Sequence, residues 1–227
     1  MSLFTISDLH LSLHSDKSME VFEGWQDYVK RIQKNWNAVV GNDDTVVIPG
    51  DVSWAMKLED TKKDFEFLNN LNGKKILVKG NHDYWWDTLT KMKAYLEKED
   101  FSTISFLYNN SYSADGFALC GTRGWMIEES GTDSKFIKRE AARLKASLES
   151  AKQFQKPIVV FLHYPPVSAE QTCKEIVDVL NEYDVKRVYY GHIHGYSKLR
   201  AIEGEHENIK YKLVSCDSID FTPLLIK

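Results

Sequence analysis

Several protein classes are excluded by what this sequence has little of. The three cysteines, Cys120, Cys173 and Cys216, are odd in number and far apart, with no Cys-x-x-Cys pair. That excludes a disulfide frame or a zinc ribbon and reads as reduced intracellular thiols. The chain has only 5 prolines and 12 glycines in 227 residues, with no internal repeat or linker. A collagenous or low-complexity chain is thereby excluded, and one domain over residues 1–227 is expected. The longest apolar run, Ile158–Leu162, falls far short of the ~20 residues of a membrane span. The stretch Met1 to Leu13 has no basic leader and is broken by Asp8 and His10, so a soluble cytoplasmic protein with no membrane partner is expected. Positive charge is not in excess either. Lys and Arg total 29 against 33 Asp and Glu, a net charge of −4, which argues against a broad electrostatic grip on nucleic acid. Gly-x-Ser-x-Gly, His-Glu-x-x-His, P-loop and Gly-x-Gly-x-x-Gly motifs are absent.

What is present is a core-forming chain, 43% hydrophobic and 27% charged. Short runs that are apolar on both faces, Leu3–Ile6, Thr45–Ile48, Lys75–Val78, Ile158–Leu162 and Arg187–Tyr190, suit buried central strands. Helical stripes lie between them: Val21 to Val40, Leu58–Leu71, Trp85 to Leu96, Ile137 to Ala151 and Ile176 to Leu180. Strands alternating with helices make an α/β fold. Further strands over 103–108, 117–122, 211–216 and 221–226, with no long helix between the first two, call for a second sheet.

Polar residues follow each central strand. Asp8 and His10 follow the first, Gly50-Asp51 the second, and Gly80-Asn81-His82-Asp83 the third. His163 follows the fourth, and Gly191-His192-Ile193-His194-Gly195 the fifth. The carboxyl ends of parallel strands share one rim where ligands bind, and five of the seven histidines fall there. In Asp8-x-His10 and His192-x-His194 an extended backbone would aim both side chains to one side. Gly50, Gly80 and Gly191 would permit sharp turns beside the donors. Imidazoles mixed with carboxylates and an amide suit manganese, iron or zinc, and seven donors are too many for one tetrahedral ion.

The ordered set Asp-x-His, Gly-Asp, Gly-Asn-His-Asp, a lone His after a strand and Gly-His-x-His resembles the calcineurin-like metallophosphoesterase superfamily, over Asp8 to His194. The resemblance implies a four-layer αββα sandwich, two mixed sheets flanked by helices, with two divalent or transition metal ions at the rim. It assigns Asp8, His10 and His194 to one ion, Asn81, His163 and His192 to the other, and Asp51 to both. His82 would act on the leaving group, with Asp83 orienting it. The implied reaction is hydrolysis of a phosphomonoester or phosphodiester by in-line attack of a metal-bound hydroxide. Two divalent ions, two carboxylates and a hydroxide sum to a net positive site that invites a phosphate anion. Asp51 is followed by Val52-Ser53-Trp54-Ala55 and lacks the acidic, arginine-bearing extension of the protein serine/threonine phosphatases. The expected partner is therefore a small phosphorylated molecule.

Other readings stay open at this point. Arg123, in Gly121-Thr122-Arg123-Gly124-Trp125, is a candidate to fork onto a substrate phosphate, or else a surface or Glu-paired arginine. Trp54 and Trp86 suit stacking or packing, whereas Trp85 belongs to a core stripe. Asp83 suits a helix N-cap. His14 and His206 read as solvated, as does the charged face of Lys135–Lys145 with Glu140. Specificity is expected in the loops Trp54–Glu59 and Gly121–Lys135. A fold-retaining scaffold that binds proteins, and a nuclease, are the competing functions.

Overall fold

A computed structural model describes residues 1–125 and 134–227. The first sheet has the order β11-β1-β2-β3-β4. Its parallel strands are β1 (Leu3–Thr5), β2 (Thr45–Pro49), β3 (Lys74–Val78) and β4 (Ile104–Phe106), with β11 (Leu224–Ile226) antiparallel at one edge. The second sheet has the order β5-β6-β7-β8-β10-β9. Its parallel core is β6 (Phe117–Thr122), β7 (Ile158–Leu162), β8 (Arg187–Tyr190) and β10 (Ile209–Leu213). Antiparallel strands β5 (Tyr112–Ala114) and β9 (Gly204–His206) close its edges.

The period-2 geometry of a strand explains the doubly apolar runs. On β2, Val46 and Ile48 face the helices α1 (Tyr28–Val39), α2 (Lys62–Asn70) and α3 (Leu89–Lys98), while Val47 faces the other sheet. On β7, Val160 and Leu162 meet α4 (Ser134–Ala151) and α5 (Lys174–Glu182), while Val159 and Phe161 meet the first sheet. Three apolar layers therefore separate four structural layers, the expected αββα sandwich.

Helix boundaries differ from the sequence pattern. The stripe from Val21 gives only a 3-10 turn at Met19–Val21, and α1 starts at Tyr28, because Asp27 adopts a left-handed φ of 50°. Val21 is exposed. Trp85 is buried as expected but precedes its helix, which begins at Leu89 with Thr88 as N-cap. Asp83 is therefore not a helix cap. His14 is not simply solvated, since its Nδ1 lies 3.3 Å from the buried Asp64 carboxylate. Nor is Glu140 on a solvated face: it is fully buried on α4, accepting from Thr122 Oγ1 at 2.7 Å and from Arg143 at 2.6 Å.

Candidate metal centre

The two sheets meet at their carboxyl ends. An isolated bridge pairs Ser7, just past β1, with Ser215, just past β10. Around this seam lie Asp8, His10, Asp51, Asn81 and His82 from the first sheet and His163, His192 and His194 from the second. Their loops are held by long-range backbone bonds, including Asp8 N to Gly50 O at 3.0 Å, His10 N to Asp51 O at 2.9 Å and Gly191 N to His163 O at 3.1 Å.

The local geometry departs from extended backbone. Asp8, His10, Asp51 and His192 all have left-handed φ, at 61°, 45°, 52° and 72°. The Asp8/His10 pair thus converges through two tight left-handed residues around the buried Leu9, not by strand alternation. Each such residue costs about 1 kcal/mol or more and persists only where the surroundings fix it. Glycine also acts differently from expectation at Gly80 and Gly191. Their φ values are not positive, but a Cβ at Gly80 would fall on the Asp51 carboxylate and amide, and one at Gly191 on Ser7 Oγ and Asp8. Close approach is what these positions require.

Two donor groups result. In the first, His194 Nε2 lies 3.2 Å from Asp8 Oδ1 and 3.3 Å from His10 Nε2. Ligands about 2.1 Å from a common ion at tetrahedral or octahedral angles stand about 3.0–3.4 Å apart, so this triad has the spacing of a coordination shell. In the second, Asn81 Oδ1 lies 2.5 Å from His163 Nε2 and 2.9 Å from His192 Nδ1. Asp51 stands between the groups, Oδ2 at 3.7 Å from His10 Nε2 and Oδ1 at 3.6 Å from His163 Nε2. Among the described residues, Asp8, His10 and His194 form one cluster with the spacing to hold a metal ion, and Asp8, Asp51 and His163 another.

Protonation favours the same interpretation. Burial pushes His163 down to about 3 and His192 to about 4, and His10 well below its usual value. These rings are neutral, the form that ligates metals. His163 Nδ1–H donates to Pro49 O at 3.0 Å, which leaves a bare lone pair on Nε2 facing the Asn81 carbonyl oxygen. With the amide oxygen turned to that lone pair, the two atoms are placed as ligands to one cation, so the residues fit a metal ion. Burial would raise the Asp8 carboxyl, but the charge and hydrogen bond of His194 hold it well below the usual range. Asp51 is pushed well above its usual value by burial and by the Asp8 and Asp83 carboxylates, a pairing that a shared cation would relieve.

Asp83 is fully engaged elsewhere than at His82. Its Oδ1 accepts from Val52 N at 2.9 Å and Trp85 Nε1 at 3.0 Å, and its Oδ2 from Gly80 N at 2.7 Å and Asp51 N at 2.9 Å. The expected orientation of the His82 ring by Asp83 is corrected: this carboxylate fixes the backbone of the Asp51 and Asn81 loops. The His82 ring sits instead beside Trp54 and His10, with centroids 4.4 and 5.7 Å away. Its pKa is lowered by burial and by Lys17, whose Nζ lies 3.4 Å from the Trp54 ring centroid. Arg123 stacks on Trp125 at 4.6 Å and lines a small cavity with Lys79, Tyr108 and Glu140, apart from the two cavities that reach the imidazoles. Trp86 packs against Phe106 and Tyr108 in the core. Most of the Gly121–Lys135 loop lies outside the described residues.

Sequence reasoning missed Asp217. Its Oδ1 lies 3.3 Å from His194 Nδ1, the carboxylate–histidine arrangement that fixes a metal-ligating tautomer. The signal was available, because Asp217 follows parallel strand β10 at the same rim.

A profile of the calcineurin-like phosphoesterase family matches residues 1–196. The chain belongs to this family. A curated relative, the uncharacterized protein MJ1445 of Methanocaldococcus jannaschii, is 33% identical over 84 residues, 36% of this chain and 46% of that protein. The chain therefore spans under half of that relative. Three solved structures share the fold. The Mycobacterium tuberculosis phosphopantetheinyl hydrolase has TM-score 0.59 and 15% identity over 99% of this chain and 95% of its own. The Aquifex aeolicus protein of unknown function AQ665 has TM-score 0.54 and 18% identity, with the same coverage. The Thermus thermophilus protein TT1561 has TM-score 0.56 and 11% identity over 99% and 97%. Among the described residues no helix is long and apolar enough to cross a membrane.

Proposed function

We propose that this phosphoesterase is a dinuclear-metal hydrolase of a small phosphomonoester or phosphodiester. The observation that carries the reading is the Asp51 carboxylate, set between two convergent donor groups with one oxygen toward each. Asp8, His10 and His194 would hold one ion, Asn81, His163 and His192 the other, and Asp51 both. An imidazole-rich set suits manganese, iron or zinc. Bound there, such ions would polarise phosphoryl oxygens and supply a hydroxide near neutral pH.

The chain's own residues do the rest. His82 is outside the donor set and half-buried beside it, in position to give a proton to the departing alkoxide. Asp83 holds the turns of the Asp51 and Asn81 loops, and Asp217 holds His194. The net charge of −4 favours a small substrate over nucleic acid. The intact donor set favours catalysis over a scaffold role.

Manganese-loaded protein should hydrolyse nitrophenyl phosphate or bis-nitrophenyl phosphate, with activity lost on chelation. A phosphopantetheine ester belongs in the same panel because of the fold neighbour's name. If neither nitrophenyl ester is cleaved with manganese, iron or zinc, the scaffold reading replaces this one. Plasmid or single-strand degradation would point to the nuclease.

A further inference from the structure

The imidazoles form the floor of a cavity of about 910 Å³ whose walls are apolar. His10, His82 and His194 open into it. The inner wall is Trp54, stacked on His10 at 4.8 Å, and Trp25, edge-on to His194 at 5.7 Å. Two 3-10 turns form its lips. Phe22 follows one at Met19–Val21, and Tyr196 and Leu199 come from the other, Gly195–Arg200. These lip residues are 55%, 88% and 89% exposed, a large uncovered apolar surface for a chain otherwise packed.

Charge is sparse in this cavity. Apart from the histidines, the charged lining residues among those described are Glu23 and Lys198. Lys198 is already committed to Asp217, Nζ to Oδ2 at 3.1 Å. Lys17, over the Trp54 ring, adds one cation beside the wall, and Glu23 would repel a second phosphate. A volume of this size holds a whole organic ligand. The cavity is continuous with the ring that would meet the departing oxygen, so its occupant is joined to the scissile phosphate through that oxygen.

From this we infer that the substrate is a phosphate ester of a bulky apolar alcohol, aryl-bearing or long-chain alkyl, which leaves through the Trp25/Trp54 cavity. The inference rests on the phosphohydrolase reading above. In the reaction, water's oxygen bonds to phosphorus and the bond from phosphorus to the alcohol oxygen breaks. One of water's protons ends on the alcohol, giving phosphate, or a phosphomonoester from a diester, and the free apolar alcohol.

Ethyl phosphate and 2-(2-naphthyl)ethyl phosphate, both esters of primary alcohols, separate apolar binding from leaving-group reactivity. The same pair as methyl diesters covers the other substrate form. With manganese-loaded protein, kcat/KM should favour the naphthyl ester by about tenfold or more. Phe22→Ser and Leu199→Glu should each reduce that ratio several-fold. Equal kcat/KM for both alcohols overturns the apolar-substrate inference and leaves the phosphohydrolase reading standing. If neither is hydrolysed and the nitrophenyl esters are also left uncleaved with manganese, iron or zinc, the phosphohydrolase reading falls. Binding of 2-(2-naphthyl)ethylphosphonate to metal-free protein, followed by tryptophan fluorescence, then decides the cavity. Saturable binding weakened by both substitutions supports it, and no binding overturns it. A concentration-dependent dimer, or adsorption to neutral phosphatidylcholine vesicles, that Leu199→Glu abolishes while the ester ratio is unchanged would also overturn it.

Discussion

The two halves of the centre are built from different electrostatics. In the half around His194, Asp8 and Asp217 outweigh burial and raise that imidazole to about 10, so in the absence of metal it carries a proton between two carboxylates. In the half around Asn81, burial depresses His163 to about 3 and His192 to about 4. One half is an ion pair that must surrender a proton to take up metal. The other is a set of neutral lone pairs to which Asp51 turns one oxygen, with Asp8 farther off, 4.0 Å from His163 Nδ1. The comparison teaches that Asp51 matters unequally: without it the first half keeps Asp8 at 3.2 Å from His194 Nε2, whereas in the second Asp8 stands 4.0 Å away and on the His163 nitrogen turned from Asn81.

Removing that charge should have the largest effect. Asp51→Asn is expected to reduce turnover by about 10²–10³-fold or more. Elemental analysis should show preferential loss of one ion per chain. Retention of both ions would break the comparison. Next comes His82→Ala, expected to cost about 10²-fold on an alkyl ester and much less on a nitrophenyl ester. Metal content should be unchanged. Equal losses on both esters would remove its role toward the leaving group. Asp217→Asn should then weaken metal affinity of the His194 half alone by about 10–100-fold, measurable by calorimetric titration with manganese. The smallest effect is on the metal-free protein. A histidine whose folded pKa is raised stabilises the fold fully below its unfolded value, near 6.5, and loses that contribution as pH rises toward about 10. Between pH 6.5 and 8, below the range where Lys75, lowered to about 8 by burial, adds an opposite trend, urea stability should fall by about 1–2 kcal/mol. His194→Gln should flatten that fall.

The central strands and their following motifs were legible because a parallel strand buried on both faces is a continuous apolar run, and donors after such runs must share a rim. Residues whose state is set by tertiary partners were not legible. Glu140 sits within a charged helical stretch, and only Thr122 on the neighbouring strand accounts for its burial. Asp83 has the spacing of a cap, yet four backbone amides and an indole from two loops converge on it. The edge strands β5 and β9 are three residues each and carry polar side chains, so no hydrophobic period marks them. The left-handed turns at Asp8 and His10 leave no trace in an Asp-Leu-His tripeptide, and they replaced the extended geometry expected there.

The seam between the sheets has a mechanical consequence. Donors from both sheets close on common points, so ions seated there would rivet the sandwich at one end. Sliding of one sheet over the other by even a fraction of an ångström would open the donor spacing, and the loaded protein should therefore release its ions before its helices melt.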